Sequence, residues 1–209
     1  MISKVKSFIH RMIRKGSKLL FETICRLRIR NRNFTILCSN CIGGIIYNRL
    51  GMKFLSPTVN LYIRQYDFIK FIKDPQLYLS KELKFIKTEY TFPVGLLGDI
   101  RIHFNHTDNE RDARQDWERR KKRINWDNLY IIMYDRDGLT REQIYSLRNI
   151  RCKRLIVLSE WDKYPELDYV YQIKRTGIRR NNDQVFLDDD FFGIRTFEKQ
   201  WNFVKWLNG

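Results

Sequence analysis

The architecture of this 209-residue chain follows from one segment near its start, Asn33-Phe34-Thr35-Ile36-Leu37-Cys38-Ser39-Asn40-Cys41-Ile42-Gly43-Gly44. An apolar run at 34–38 gives way to small polar residues and two glycines, and a helix-compatible segment follows at 45–50. This order predicts a strand, a tight loop and a helix. In open α/β sheets, ligands bind beyond the carboxyl ends of strands, where N–H groups at a helix start can hold an anion. We therefore expect Asn40 and the backbone of Gly43 and Gly44 to bind a substrate.

Strand and helix patterns alternate along the rest of the chain. Apolar runs predict strands at 100–104, 128–134 and 153–159. The clearest helix is predicted to start at the capping-box pattern Thr107-x-x-Glu110. We expect an α/β protein with a parallel or mixed sheet and flanking helices. The predicted organisation is a basic N-terminal helix at 1–32 and an α/β domain at 33–209, with a candidate boundary between two small subdomains near 90–107.

The net charge of +16 is concentrated at the N-terminus. Residues 1–32 carry ten Lys or Arg and one acid, Glu22, so +9 of the +16 lies there. Apolar residues recur between these cations at helical spacing, which predicts an amphipathic helix with an interruption at Gly16. Such a helix can lie on an anionic membrane surface through residues 1–30, or it can pack on the domain or a partner subunit. The uneven charge argues against a nucleic-acid footprint over the whole domain.

The four cysteines are too sparse for a secreted disulfide framework. Cys38 and Cys41 have C-x-x-C spacing, which suits a redox pair or half of a zinc site, or simply one packed and one loop cysteine. The sequence has no apolar run long enough to span a membrane and no signal-peptide pattern. The expected location is the cytoplasm, with peripheral attachment at the inner face of the membrane.

Three titratable residues, Asp99, His103 and His106, cluster around a predicted strand. A histidine here could act as general base toward a sugar hydroxyl, oriented by the Asp99 carboxylate. The alternative is a half-buried histidine bonded to a backbone carbonyl. We predict His106 as the catalytic base, with Asp99, because His106 lies in the loop before a helix, where catalytic groups gather.

Two aspartates, Asp135 and Asp137, directly follow an apolar strand. Glycosyltransferases that use nucleotide sugars place such a pair on Mg²⁺ or Mn²⁺, which neutralises the leaving diphosphate. Two aspartates before a glycine also build an ordinary turn through bonds to their own backbone. The sequence therefore offers Asp135 and Asp137 as candidate metal ligands.

The segment 117–127 places five cations between two tryptophans. Its arginines could hold a phosphate while an indole stacks on a base or sugar, or the segment could touch nucleic acid. It could equally be a solvated basic helix end whose tryptophans belong to the core. The predicted substrate-binding residues in this segment are Trp117, Arg120, Arg123 and Asn125.

Taken in order, several motifs resemble one bacterial family. They are Phe34–Gly44, Ser56-Pro57-Thr58, Pro93-Val94-Gly95, His103-Phe104-x-His106, Trp117-x-x-Arg120 and Arg123-Ile124-Asn125-Trp126-Asp127-Asn128. The family is catalogued as a domain of unknown function, number nineteen-nineteen, and its members are often labelled exopolysaccharide or capsular polysaccharide biosynthesis proteins. The resemblance covers about residues 33–207. It implies a small α/β protein that works in surface-polysaccharide assembly on the cytoplasmic side.

Together these features predict a transferase of cell-surface polysaccharide biosynthesis. Its expected partner is a nucleotide sugar or another phosphorylated small molecule, and nucleic acid is not expected. The alternative is a membrane-associated accessory protein that scaffolds polysaccharide enzymes without catalysing a reaction.

Overall fold

A computed structural model describes residues 2–135, 138–174 and 187–209 of the chain. The α-helices are α1 (Ile2–Arg28), α2 (Ile42–Arg49), α3 (Gln65–Lys73), α4 (Pro75–Ser80), α5 (Glu110–Lys121), α6 (Arg141–Ser146), α7 (Thr196–Gln200) and α8 (Phe203–Asn208). The strands are β1 (Thr35–Cys38), β2 (Tyr62–Ile63), β3 (Leu83–Ile86), β4 (Val94–Leu97), β5 (Ile100–His103), β6 (Leu129–Asp135), β7 (Arg154–Ser159) and β8 (Val170–Gln172). Short 3₁₀ turns precede β6 and follow α6.

The strands form two sheets of four. The first is parallel, in the order β1-β6-β7-β8, and the second is antiparallel, in the order β2-β5-β4-β3. The antiparallel sheet lies within the long connection between β1 and β6. The Ile63 N–H donates to the Ser39 carbonyl at 3.0 Å, so β2 is fastened to the loop that follows β1. The predicted α/β class with flanking helices is confirmed.

Both faces of the parallel sheet are covered, which explains why its strands read as unbroken apolar runs. Leu37 and its neighbours on one face pack with the antiparallel sheet and helices α3 and α5. Ile36 and Cys38 on the other face pack with the end of α1 and with α2, α7 and α8. Side chains alternate between the faces of a strand, so the single segment 35–38 contributes to both cores.

Helix α1 is continuous through Gly16, so the predicted interruption there was wrong. Its C-terminal end is docked: Cys25 is buried, and the Glu22 carboxylate lies 3.0 Å from the Arg49 guanidinium. Arg49 is itself buried and bonds Glu198 of α7 at 2.7 Å, so it joins three helices. Toward its N-terminus the helix exposes a series of large apolar side chains, Val5, Phe8, Ile9, Met12, Ile13, Leu19 and Leu20.

The chain that leads into β1 is fastened to the chain that leads into β6. Asn125 and Asn128 each donate a side-chain amide hydrogen to the Asn33 carbonyl, at 2.9 and 2.7 Å. The Asn125 backbone N–H donates to Thr35 Oγ1 at 2.8 Å. The asparagines of the segment 123–128 therefore hold the neighbouring strands β1 and β6 together at their amino ends. The cavity described below lies at the opposite edge of the sheet.

Candidate functional site

A cavity of about 620 Å³ lies beyond the carboxyl end of β1, between the two sheets. Each of its walls comes from a different element: the β1–α2 loop, α2, the chain entering β2, the loop before β4, the end of β5 and the segment before α7. The lining residues are Asn40, Cys41, Ile45, Asn48, Asn60, Tyr62, Phe92, His103, Asn105, His106, Leu187 and Arg195. Of the predicted site residues, the structure brings Asn40 and His106 together here.

Asn40 is buried, but only half of its side chain is bonded. Its Oδ1 accepts from the Ile42 N–H at 3.0 Å and from the Cys38 thiol at 3.2 Å, which shapes the loop. Its Nδ2 has no hydrogen-bond partner in the part of the chain that the structure describes. An unpaired buried N–H group costs about 1–3 kcal/mol, so such groups are rare and each calls for an explanation. Asn40 therefore lines the cavity and carries an unpaired buried donor.

His103 supplies a second unpaired group to the same cavity. The side chain is 4% exposed, and its Nε2 has no partner among the described residues. Burial lowers the pKa of His103, and the positive charges of Arg64 and Arg101 lower it further. The imidazole is consequently neutral near pH 7. The ring lies near Tyr62 and Phe92, with centroid distances of 5.7 and 6.2 Å, so this wall is aromatic.

Cys41 and His106 meet at the cavity. The Sγ of Cys41, which precedes α2, lies 3.0 Å from Nε2 of His106. His106 is held in a turn closed by the Thr107 N–H, which donates to the Phe104 carbonyl at 3.0 Å. Arg195 adds a positive charge to the cavity, and its Nη1 donates to the Leu187 carbonyl at 2.6 Å. The contact between Cys41 and His106 joins loops 65 residues apart, and spacing along the chain gives no signal for it.

The two glycines after Asn40 allow close packing of α2. A Cβ on Gly44 would lie 2.3 Å from Oδ1 of Asn60, which lines the cavity in a left-handed conformation. A Cβ on Gly43 would lie 3.1 Å from the Cβ of Cys38. Both glycines therefore set the position of α2 against the cavity wall. Their role in binding a substrate through the backbone stays a prediction.

Asp99 lies elsewhere, on the turn between β4 and β5. It forms an ion pair with Lys70 at 2.6 Å and accepts from the Tyr78 hydroxyl at 2.8 Å. The Lys70 hydrogen bond, followed by the Tyr78 one, lowers the pKa of Asp99 to about 2. This carboxylate stays ionised and joins α3 and α4 to the antiparallel sheet. The structure does not bring it to His106.

The cationic segment 117–127 is bound to the fold. Trp117 is buried in the core, edge-on to Phe104. Arg120 is bonded to the Val59 carbonyl at 3.1 Å and to the Asp116 carboxylate, and Arg123 donates to the Phe54 carbonyl at 3.3 Å. Their predicted role in binding phosphate stays untested.

The predicted metal ligand Asp135 is fully engaged within the fold. Its Oδ1 accepts from the Leu139 N–H at 2.6 Å, and its Oδ2 accepts from Ser159 Oγ at 2.9 Å. Asp137 lies outside the described residues, so the metal hypothesis stays a prediction. Within residues 2–135, 138–174 and 187–209, no three His, Cys, Asp or Glu side chains are grouped closely enough to hold a metal ion.

Comparison with known proteins places the chain in a family. Residues 12–208 match the family described as "Domain of unknown function (DUF1919)". The chain belongs to this family. A Haemophilus influenzae protein (strain ATCC 51907 / DSM 11121 / KW20 / Rd) described as "Uncharacterized protein" is similar to it, with 32% identity over 207 residues. The similarity spans 98% of this chain and 97% of that protein, so it includes every wall of the cavity.

Proposed function

We propose that this member of the family is a transferase of bacterial cell-surface polysaccharide biosynthesis, and that the cavity binds its nucleotide-activated or phosphorylated donor. The observation that carries the proposal is the pair of buried, unpaired nitrogen atoms, Asn40 Nδ2 and His103 Nε2, in residues that line one cavity. Arg195 offers a charge for phosphate, and the rings of Tyr62 and Phe92 offer surfaces on which a base or sugar can stack. His106 is positioned to move a proton.

The place of the reaction in polysaccharide assembly rests only on what the resemblance of the sequence motifs implies. The charge and exposed apolar residues of α1 suit a protein that works at the inner face of the membrane, where anionic lipids attract Lys and Arg. Among the described helices, none is both long enough and apolar enough to cross a membrane.

Complementation in a bacterial strain that lacks this chain tests the proposal. Wild-type protein should restore the surface polysaccharide, and an Asn40→Ala, His106→Ala double variant present at the same cellular level should not. The matched control is Lys84→Ala, an exposed change on β3 outside the cavity, which should restore the polysaccharide. Full restoration by the double variant contradicts the proposed site.

The second candidate is an accessory protein that binds the membrane and scaffolds other enzymes. It is favoured by one observation, the apolar face of α1, where Phe8, Met12 and Leu20 are 53%, 54% and 62% exposed. Liposomes that contain anionic lipid should bind the full chain, and Phe8→Ser with Leu20→Ser should weaken that binding. If those two changes abolish polysaccharide production while the cavity variants do not, the accessory function is supported and the transferase is contradicted.

A further inference from the structure

Cys41 differs from the other three cysteines in its surroundings. The Cys38 thiol is buried against Asn40, and burial raises its pKa to about 12. Cys25 and Cys152 are also shielded, and burial raises the pKa of each to about 11. Cys41 lines the cavity, and it alone of the four has an imidazole within hydrogen-bond distance, that of His106 at 3.0 Å.

The protonation of the Cys41 thiol at rest follows from its environment. Burial raises the pKa of Cys41, and the positive charge of Arg195 opposes that change. The resting form is therefore a neutral thiol beside an imidazole. The thiol becomes a strong nucleophile when the imidazole takes its proton during attack, as in other paired Cys and His sites.

We propose that Cys41 is a covalent nucleophile for acyl transfer, with His106 as its general base and the Asn40 side-chain amide as donor to the carbonyl oxygen. The inference rests on the proposed transferase function and specifies the group that is transferred. Three independent features support it: the contact between Sγ and Nε2, the unpaired Nδ2 of the adjacent residue, and the unpaired Nε2 of His103 on the same cavity.

The reaction balances with an acyl thioester as donor. His106 Nε2 takes the thiol proton while Cys41 Sγ bonds to the carbonyl carbon, and the resulting oxyanion accepts from Asn40 Nδ2. The carbon–sulfur bond to the carrier then breaks, and the leaving thiolate takes the proton from His106. In the second half a hydroxyl of the acceptor attacks the acyl group on Cys41 while His106 takes the hydroxyl proton. That proton goes to Cys41 Sγ as the ester leaves.

The chemistry of the cavity favours an acyl group. The Asn40 amide is an uncharged donor, which suits an oxygen that is neutral in the substrate and becomes charged only during reaction. Exchange between a thiol and a thioester needs no oxidant or metal. Arg195 is available for a phosphate on the carrier of the acyl group.

The test is formation of an acyl adduct on the full-length chain. Purified protein is mixed with acetyl-coenzyme A or p-nitrophenyl acetate and quenched in acid. Intact mass and peptide mapping then locate the acetyl group. We expect one acetyl group on Cys41, no adduct in Cys41→Ser, and an unchanged rate in the matched control Cys152→Ser. His106→Ala should slow adduct formation by about 100-fold, which is the lower end of the rate enhancement that general-base catalysis typically gives.

Added imidazole should restore part of the rate in His106→Ala, which a structural role of His106 would not allow. His106 is exposed, and circular dichroism checks that the variant remains folded. Absence of an adduct on Cys41 with both donors, or an unchanged rate in His106→Ala, overturns the inference. If the cavity variants still abolish the polysaccharide in that case, the proposed transferase stands and only the covalent step fails.

Discussion

The carboxyl ends of β1 and β6 lie side by side at the same edge of the parallel sheet, and a polar side chain stands at each of them. The two side chains differ in what they bond. Asp135, the last residue of β6, has both oxygens bonded within the fold, whereas Asn40 after β1 leaves its amide nitrogen unpaired beside a cavity. Position at the carboxyl edge of a sheet is therefore not enough to identify a binding group. The unpaired hydrogen-bonding capacity of Asn40 distinguishes it from Asp135.

The largest effect that we expect of a single substitution is the loss of stability in Asp135→Ala. The change leaves the buried Leu139 N–H without its acceptor and removes the bond from Ser159, and buried groups that lose a partner cost about 1–3 kcal/mol each. We expect the free energy of unfolding to fall by about 2–4 kcal/mol in urea titrations. A loss below the experimental error would show that Asp135 is not a structural residue.

A smaller effect is expected for Asn40→Ala. Alanine removes the acceptor of the Ile42 N–H, but it also removes the unpaired Nδ2, whose burial already costs free energy in the native state. We expect unfolding free energy to fall by about 1 kcal/mol or less by the same titration. A loss as large as that of Asp135→Ala would mean that Nδ2 is bonded in the native protein, and the contrast between the two loops would disappear.

The pH dependence of stability tests His103. Its pKa in the folded protein lies below the ordinary value of 6.5, so as pH falls below 6.5 the unfolded chain takes up a proton that the folded chain does not. The contribution of the neutral imidazole to the free energy of unfolding is therefore fully present above pH 6.5. It decreases as the pH is lowered, by at most about 1.4 kcal/mol per pH unit. His103→Gln should flatten this part of the curve. Identical slopes in the variant and the wild type would contradict the burial of His103.

The smallest effect is expected for Arg123→Ala, in the cationic segment that sequence alone makes attractive for phosphate. The side chain is exposed and makes one bond, to the Phe54 carbonyl. Exposed substitutions of this kind change stability by about 0.5 kcal/mol or less. Isothermal titration with a nucleotide sugar that binds the wild type should give an unchanged affinity. A tenfold weaker affinity in Arg123→Ala would show that this segment binds the phosphate.

Local patterns predicted the central part of the fold. The abrupt change from apolar to polar residues and glycines after Cys38 predicted β1, its loop and α2, because each signal lies within a dozen residues. Strands β3 and β4 were not predicted; around β4, Pro93, Gly95 and Gly98 indicate turns instead. In the structure Gly95 lies inside the sheet. A larger residue would not fit there, because its Cβ would lie 2.6 Å from the Leu83 side chain. Helix α5 is capped by Asn109, so the predicted capping box at Thr107 was wrong.

The aromatic-rich pattern over 197–207 predicts a single C-terminal helix. It is broken at Trp201, and Asn202 starts α8 by accepting from the Lys205 N–H at 2.9 Å. The strong basic pattern of Lys174–Asn182 predicted a loop, most of which lies outside the described residues.

For the site, sequence indicated Asn40 and His106 separately, each from its place at the end of a strand or before a helix. It could not indicate that Cys41 contacts His106, or that Asn60 and Arg195 share their cavity. Those contacts depend on how the antiparallel sheet folds back onto the β1–α2 loop, through bonds such as that between Ile63 and Ser39. The sequence also could not distinguish the free amide of Asn40 from the bonded carboxylate of Asp135.

The most direct test of the β1 loop as the binding site is ligand-induced stabilisation in a matched pair of variants. Asn40→Asp and Asp135→Asn keep side-chain size and an acceptor oxygen, but the first removes the free amide donor. Thermal unfolding is measured with nucleotide sugars, sugar phosphates and acetyl-coenzyme A. A ligand present at 100-fold its Kd should stabilise wild type and Asp135→Asn by about 2.7 kcal/mol, and Asn40→Asp far less. Equal stabilisation of Asn40→Asp and wild type, or loss of stabilisation in Asp135→Asn alone, would contradict the account.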